Sequence, residues 1–276
     1  MKIWEAIIYG IIGGLTEVLP VSFAGHAAFL HGAFDLSPLG EGSGLYVRAA
    51  VCLGVILAVI LAFRSESIST GKTLLAMTAA NKKRRRNSPM RRSVFMSVFA
   101  LLPMLLSLIF TAAAERISRL SLVALFFAVN GLLIYLCSRG LPGRKDGRNV
   151  TIPDMLLLGV SRMLCVFPGL SSVAASLSVG RTCGLSELYN LRVCFQLTIA
   201  YQAVAFLYRL IRALAYGSFS AMTLAMMLSA AALATVFGYL AIQYLRYLMQ
   251  KQKFNVFSYY CWDAAVIVLI VALINA

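Results

Sequence analysis

Apolar residues run through this chain in long stretches, and six of these stretches are long enough to cross a membrane as helices. A helix that spans the roughly 30 Å hydrocarbon core of a bilayer needs about 20 apolar residues. Three stretches carry no charged residue: 94–114, 120–137 and 219–245. Three more have a charged residue inside them or directly beside an end: 47–63, 193–208 and 254–274. The pattern therefore predicts six membrane crossings.

Two further apolar regions, 3–30 and 154–180, are interrupted. In the first, the uncharged stretch before Glu17 and Pro20 is only about 17 Å long at helical rise. In the second, Pro168 and the glycine after it fall in the middle, and several serines follow. Broken backbone at membrane depth is tolerated only where it is buried in protein or lines a water-filled cavity. Each region is therefore predicted to be a re-entrant helical hairpin.

The order of these elements predicts an internal symmetry. One hairpin and three crossings are followed by a second hairpin and three more crossings. Because three is an odd number, the second half must enter the membrane upside down, which is the inverted-repeat plan. The predicted fold is an all-α polytopic membrane protein with six transmembrane helices and two re-entrant hairpins. It forms a single membrane domain, 1–276, with inverted repeats at 1–138 and 150–276.

The composition is that of a membrane protein, and the distribution of charge predicts how the chain is oriented in the membrane. Hydrophobic residues make up 61% of the chain and charged residues 13%, which excludes an ordinary soluble enzyme. The net charge of +15 gathers between the crossings, with nine basic residues in 64–92 and four in 139–148. Lys and Arg favour cytoplasmic loops, so both segments are predicted to be cytoplasmic and the first hairpin to open to the outer face.

The basic run, the cysteines and the histidines limit the partners and metal sites that the chain is expected to have. The basic run 82–86 is interpreted as a topology determinant that contacts anionic membrane lipids, and no nucleic acid partner is expected. The six cysteines include no CxxC pair and are predicted to be buried free thiols. The two histidines, His26 and His31, are too few for a multi-histidine metal site.

The first hairpin places three reactive side chains around one helix break: Glu17, Ser22 and His26. An ionisable residue inside a membrane segment is costly and suggests a function. A carboxylate, a hydroxyl and an imidazole together can move protons or activate a nucleophile. The alternative is that Glu17 and Ser22 cap helix ends and His26 lies at the membrane interface.

The second hairpin offers an anion site. A helix that begins near Ser171 would present its free N–H groups and the positive end of its dipole to an anion such as phosphate. The hydroxyls of Ser171 and Ser172 would add donors. N-capping by Ser171 explains the same residues without any ligand.

These motifs resemble those of a known family. The segment Gly-Leu-Thr-Glu-Val-Leu-Pro-Val-Ser at 14–22, the Gly-His pair at 25–26 and the Pro-Gly-Leu-Ser segment at 168–171 resemble the bacterial undecaprenyl-pyrophosphate phosphatases of the bacitracin-resistance type. The resemblance covers essentially the whole chain. It implies an inner-membrane protein that removes the terminal phosphate of undecaprenyl pyrophosphate on the outer face, which regenerates the lipid carrier for peptidoglycan synthesis.

The chain departs from the family pattern at several site positions. The additional Glu of the first motif is Gly13, and the second Ser is Phe23. The phosphate-binding Arg of the second motif is Ser172, and its upstream Gln is Arg162. A Glu that the family has in the following helix is Arg192. Because a guanidinium group on the developing charge speeds phosphoryl transfer by orders of magnitude, these changes bear on catalysis.

Three functions are open, of which the third, a structural partner for another envelope protein, is the least specified. In the first, the protein is a phosphatase in which Glu17 assists proton transfer or binds a divalent cation, Mg²⁺ or Ca²⁺, while Ser22 or His26 attacks. The site would then comprise catalytic Glu17, Ser22 and His26 and phosphate-binding Ser171, Ser172, Arg162 and Arg181. In the second, a catalytically impaired relative binds or flips a polyprenyl phosphate lipid. The expected partners are a polyprenyl pyrophosphate lipid and membrane lipids, with a homodimer as an open alternative.

Overall fold

The computed structural model describes residues 1–78, 89–114, 119–140 and 143–275. The secondary structure in these ranges is almost entirely helical. The helices are α1 (Ile3–Val18), α2 (Phe23–Phe34), α3 (Gly42–Ala62), α4 (Arg64–Thr78), α5 (Pro89–Ala114), α6 (Leu120–Ser138), α7 (Ile152–Met163), α8 (Ser172–Thr182), α9 (Glu187–Tyr216), α10 (Ala221–Gln250) and α11 (Val256–Ile274).

Six of these helices are long and apolar enough to cross a membrane: α3, α5, α6, α9, α10 and α11. The prediction of an all-α polytopic membrane protein with six crossings is thus confirmed. The helices α3 and α9 extend well beyond the predicted crossings, since α3 begins at Gly42 and α9 runs from Glu187 to Tyr216. As a result Arg48 and Arg209, expected near the ends of their spans, lie inside these helices.

The predicted cytoplasmic segment 64–92 contains the helix α4 and the first residues of α5. The basic run 82–86 within it lies outside the described residues, and so do residues 115–118 of the link between α5 and α6.

The first interrupted region divides into α1 and α2. The helix α1 ends at Val18, just before Pro20, which lacks the N–H group that a continuing helix needs. The helix α2 then begins behind Ser22, whose Oγ accepts a hydrogen bond from the Gly25 N–H at 3.2 Å. A proline that ends one helix and a serine that caps the next therefore produce this break.

The second interrupted region has the same arrangement of a proline followed by a capping serine. A proline is followed by Gly169, whose φ of +114° lies in the range that favours glycine. The helix α8 then begins behind Ser171, whose Oγ accepts from the Ala174 N–H at 3.3 Å. The helices α7 and α8 have 12 and 11 residues, and α1 and α2 have 16 and 12. None reaches the length of a crossing. That each pair turns back within the membrane stays a prediction.

The start of α7 is set by a capping box. The Thr151 Oγ1 accepts from the Asp154 N–H, and the Asp154 carboxylate accepts in return from the Thr151 N–H at 2.9 Å. The Lys145 Nζ lies 3.0 Å from the same carboxylate. Burial raises the pKa of the Asp154 carboxyl, but the hydrogen bonds from Thr151 and Lys145 outweigh burial and hold the pKa below its usual value.

The helix contacts follow a symmetric pattern. Both α1 and α3 pack on α10. In the same way, both α7 and α9 pack on α5. The pairs α3–α9 and α6–α11 also pack together. If α1, α3, α5 and α6 correspond to α7, α9, α10 and α11, each of these contacts has its counterpart in the other half. The contacts favour the division into 1–138 and 150–276, which stays a prediction.

Close packing of α1 on α10 depends on small residues. A Cβ atom added to Gly14 would lie 2.6 Å from the Ala234 carbonyl oxygen and 3.0 Å from the Gly238 nitrogen. Small residues at such positions let the backbones of membrane helices approach closely. This contact places the C-terminal end of α1, and with it Glu17, against the bundle.

Replacing Gly14 with Val should force α1 away from α10. Overpacking of this kind costs about 1–3 kcal/mol, so the midpoint of thermal unfolding in detergent should fall. Gly71→Val is the matched control, because a Cβ at Gly71 in α4 would meet no atom within 4 Å. Equal melting temperatures for the two variants would contradict the packing described here.

Candidate functional site

The two helix breaks meet inside the protein. The Oγ of Ser22 accepts a hydrogen bond from the Gly169 N–H at 3.0 Å, so the cap of α2 also binds the second break. In the other direction, the Ser171 hydroxyl donates to the Leu19 carbonyl at 3.4 Å. Both serines are 3% exposed. The first turns of α2 and α8, with the N–H groups that have no partner within a helix, are thereby brought together.

Asn130 of α6 joins the two breaks from the side. Its Nδ2 donates to the Pro20 carbonyl at 3.1 Å, and its Oδ1 accepts from the Ser171 N–H at 2.9 Å. The side chain is fully buried. Sequence reasoning did not single out Asn130, although an amide in the middle of an apolar crossing is the signal that could have found it.

A cavity of about 80 Å³ lies beside this junction. The serines of both breaks line it, including Ser22, Ser171 and Ser172. Its charged lining residues are Glu17, Arg48, Arg162 and Arg209. With three guanidinium groups and one carboxylate on its wall, the cavity is positively charged and suits an anion.

Arg162 projects from the end of α7 and is 4% exposed. Its Nη1 donates to the Ser176 Oγ at 2.8 Å, and its Nη2 donates to the Thr198 Oγ1 at 3.0 Å. Its Nε is buried and has no hydrogen-bond partner in the described part of the chain. Two hydroxyls thus hold the guanidinium in place without neutralising its charge.

Arg209 of α9 is 6% exposed. Its Nη1 donates to the sulfur of Cys52 on α3, and its buried Nε has no hydrogen-bond partner among the residues described. Arg48 comes from α3 and is half-buried. Sequence reasoning placed Arg48 and Arg209 near the ends of crossings and did not assign either to the site, because their convergence depends on how α3 and α9 pack.

Glu17 lies at the end of α1 and is half-buried. Its Oε2 accepts a hydrogen bond from the Gln202 Nε2 at 2.9 Å, and Gln202 itself is 2% exposed on α9. The carboxylate is also close enough to Arg209 and Cys52 to interact electrostatically with both. A fixed carboxylate on the wall of a cationic cavity can accept a proton from a molecule bound there.

His26 lies next to the break but does not line the cavity. Its Nδ1 is 2.6 Å from the Ser22 carbonyl, which only accepts, so Nδ1 carries the proton. Its Nε2 then accepts from the hydroxyl of Tyr260 on α11 at 2.7 Å. The ring also packs edge-on against Phe127 at 5.3 Å. The lone pair of the imidazole therefore faces α11.

Arg181 lies at the other end of α8. Its Nε donates to the Gly140 carbonyl at 2.9 Å, and its Nη1 is 3.7 Å from a carboxylate oxygen of Glu187. It does not line the cavity that Arg162 lines. Of the two arginines that sequence reasoning offered as phosphate ligands, the structure brings Arg162 to the break and leaves Arg181 elsewhere.

The structure also gives a physical account of Gly13, where the family pattern has a second carboxylate. A Cβ atom at Gly13 would lie 2.6 Å from the Val51 Cγ1. Contact between α1 and α3 thus fills the space that a longer side chain would need. Phe23, in place of a serine, is 5% exposed and contributes to the cavity wall.

The side chains do not fit a divalent cation held by the protein alone. No group of three or more His, Cys, Asp or Glu residues that could hold a metal ion occurs within the described ranges. Glu17 is the single carboxylate on the described wall of the cavity, and it shares that wall with three arginines. Mg²⁺ and Ca²⁺ require about six or more oxygen ligands, so no chemical step is assigned to a metal here.

Together, these helices and this cavity define a multi-pass helical membrane protein with a cationic site at the junction of two helix breaks. The family model described as bacitracin resistance protein BacA matches residues 6–267. The chain therefore belongs to the BacA family.

Individual relatives are similar over almost their full length. An undecaprenyl-diphosphatase from Methanobrevibacter smithii is 30% identical, and the match covers 97% of each chain. An undecaprenyl-diphosphatase from Methanosphaera stadtmanae is 25% identical over 99% of each chain. Undecaprenyl-diphosphatase 3 from Bacillus cereus is 24% identical over 96% of this chain and 95% of that one.

Removing the Asn130 side chain should loosen the junction of the breaks. Asn130→Ala leaves the Pro20 carbonyl and the Ser171 N–H without their partner, and each buried unsatisfied group costs about 1–3 kcal/mol. The melting temperature in detergent should fall accordingly. In the control, Asn275→Ala, the side chain that is removed donates to the Gly32 carbonyl at an exposed position, and little change is expected. A melting temperature unaffected by Asn130→Ala would show that the bridge does not stabilise the junction.

Proposed function

We propose that this protein hydrolyses undecaprenyl diphosphate to undecaprenyl phosphate and inorganic phosphate. The names of its relatives support this substrate. The observation that carries the proposal is the cavity in which Glu17 faces three arginines beside the starts of two helices. A lipid diphosphate brings several negative charges to a membrane-embedded site, and a cavity of this charge complements it.

Binding and charge stabilisation come from the helix starts and the guanidinium groups. Phosphoryl transfer spreads charge over the oxygens of the transferred group, and enzymes promote it mainly by positioning and electrostatics. The N-terminal turns of α2 and α8 offer N–H groups to such oxygens. Arg162 adds a fixed positive charge, and the Ser172 hydroxyl, half-buried on the cavity wall, adds a donor.

Glu17 is proposed as the general base. In the reaction, a water oxygen attacks the terminal phosphorus, the bond from phosphorus to the bridging oxygen breaks, and the proton of the water passes to Glu17. The leaving group is undecaprenyl phosphate. The Ser22 Oγ already accepts N–H bonds from Gly25 and Gly169, and the imidazole lone pair of His26 faces Tyr260. Attack by water therefore requires fewer contacts to break than attack by Ser22 or His26.

Replacing the Glu17 carboxylate with an amide should slow the catalytic step. Purified Glu17→Gln should release phosphate from undecaprenyl diphosphate roughly 10²–10⁴ times more slowly than the unmodified protein, the usual contribution of a general base. Glu187→Gln is the control, because Glu187 pairs with Arg181 outside the cavity. Phosphate release by Glu17→Gln at the normal rate would eliminate Glu17 as the base. No release by the unmodified protein, with or without Mg²⁺ or Ca²⁺, would contradict the proposed function.

We also propose that the protein resides in the inner membrane with its basic segments in the cytoplasm. The link 217–220 between α9 and α10 is then on the outer side, one crossing away from the cytoplasmic segment 139–148. On this topology the first hairpin opens to the outer face, where the lipid diphosphate would be hydrolysed.

Cysteine labelling tests this orientation. In a background without Cys165 and Cys183, Lys72→Cys should react with a membrane-impermeant maleimide only after the cells are permeabilised. Ser218→Cys, exposed in the link after α9, should react in intact cells. The reverse labelling pattern would invert the topology.

A further inference from the structure

We propose that Arg48 and Arg209, from the crossing helices α3 and α9, bind the diphosphate together with Arg162, and that this binding requires no divalent cation. The inference rests on the proposed function and adds the groups that recognise the diphosphate. It concerns two residues at which the sequence pattern shows only an interruption of a membrane span.

The buried position of Arg209 inside a crossing helix favours the binding of an anion beside it. An arginine inside a membrane-crossing helix is costly unless it is paired or faces a polar cavity. Arg209 is 6% exposed and bonds the Cys52 thiol, a weak acceptor. Glu17 is the nearby carboxylate, and one carboxylate cannot balance the guanidinium groups that line this cavity. A bound diphosphate would supply the missing negative charge.

The geometry of the guanidinium groups suits phosphate. A guanidinium group presents parallel N–H donors that bind two oxygens of one phosphate. Arg162 and Arg209 each keep a buried Nε without a hydrogen-bond partner among the described residues. Hydrogen bonds to Ser176 and Thr198 hold the Arg162 guanidinium, and a hydrogen bond to the Cys52 thiol holds that of Arg209. Each group is therefore held in position by the protein with one buried donor unsatisfied.

The arginines also offset a loss in the second hairpin. The family pattern has a phosphate-binding Arg at the position of Ser172, which lines the same cavity. Here α3, α7 and α9 each contribute one arginine to that cavity. In this chain the positive charge of the cavity therefore comes from the surrounding helices and not from a side chain at the start of α8.

The same charges argue against a resident cation. A divalent cation entering the cavity without the diphosphate would meet the guanidinium groups of Arg48, Arg162 and Arg209 and the carboxylate of Glu17. Like charges repel strongly where the effective dielectric constant is low. The neutralisation of phosphate charge that a cation provides in many phosphoryl-transfer enzymes would here come from arginine.

Binding can be measured apart from hydrolysis. Purified protein in detergent would be titrated, in the presence of EDTA, with a soluble farnesyl diphosphate analogue in which a methylene group replaces the oxygen between the two phosphorus atoms, so that it is not hydrolysed. Arg209→Gln and Arg48→Gln should each raise the Kd about 10- to 100-fold, the loss expected for hydrogen bonds to a charged ligand. Arg209→Lys keeps the positive charge but loses the parallel N–H donors of the guanidinium group. Its Kd should therefore lie between those of Arg209→Gln and the unmodified protein.

The matched control is Arg212→Gln. Arg212 lies one turn beyond Arg209 on α9, stacks on the Tyr208 ring at 5.9 Å and does not line the cavity. Its Kd should stay within about twofold of that of the unmodified protein. The melting temperature without ligand gives a second readout. Removal of an arginine that serves the ligand should leave it unchanged or raise it, whereas removal of a purely structural arginine should lower it.

Two results would overturn the inference. The first is an unchanged Kd for folded Arg48→Gln and Arg209→Gln, and the second is binding that appears only when Mg²⁺ or Ca²⁺ is added. Failure of the proposed function has a different signature. If the farnesyl diphosphate analogue binds in an arginine-dependent way but undecaprenyl diphosphate is not hydrolysed, the binding site stands and the phosphatase activity does not.

Discussion

The junction between the two helix breaks is the constraint on which the rest of this structure depends. Each break exposes backbone N–H and carbonyl groups in an apolar bundle, where water is scarce and an unsatisfied polar group is costly. Here the breaks satisfy one another through Ser22 and Gly169 and through Ser171 and Leu19. Asn130 completes the junction. The breaks can therefore persist only as a pair.

This mutual dependence explains why the cavity forms where it does. Because the capping residues Ser22 and Ser171 each hydrogen-bond the other break, the first turns of α2 and α8 lie side by side at one wall of the cavity. The remaining walls include residues of α1, α3, α5, α7 and α9, and the charged groups come from α1, α3, α7 and α9. Polar backbone, hydroxyls and guanidinium groups thus converge in a membrane protein whose other surfaces are largely apolar.

The cavity combines features that oppose stability and favour binding. Several arginines around one carboxylate destabilise an empty site, because their charges repel and their desolvation is only partly compensated. Stability is recovered elsewhere, through close contacts such as that of Gly14 with Ala234 and through the large apolar core of α1, α3 and α10. A site that is under-neutralised when empty gains affinity for an anionic headgroup when the headgroup arrives.

Much of the fold was determined by the sequence alone. The length and apolarity of the crossings depend only on bilayer thickness, and Pro20 and Pro168 break the helices for local steric reasons. Glu17 and Ser171 could be recognised as site candidates because each lies beside such a break. The roles of Arg48, Arg209 and Asn130 could not be predicted in this way. Each lies in a long helix away from the helix breaks, where a polar residue indicates a contact but not its partner. Only the packing of α3, α6 and α9 around the breaks decides which polar side chains meet there.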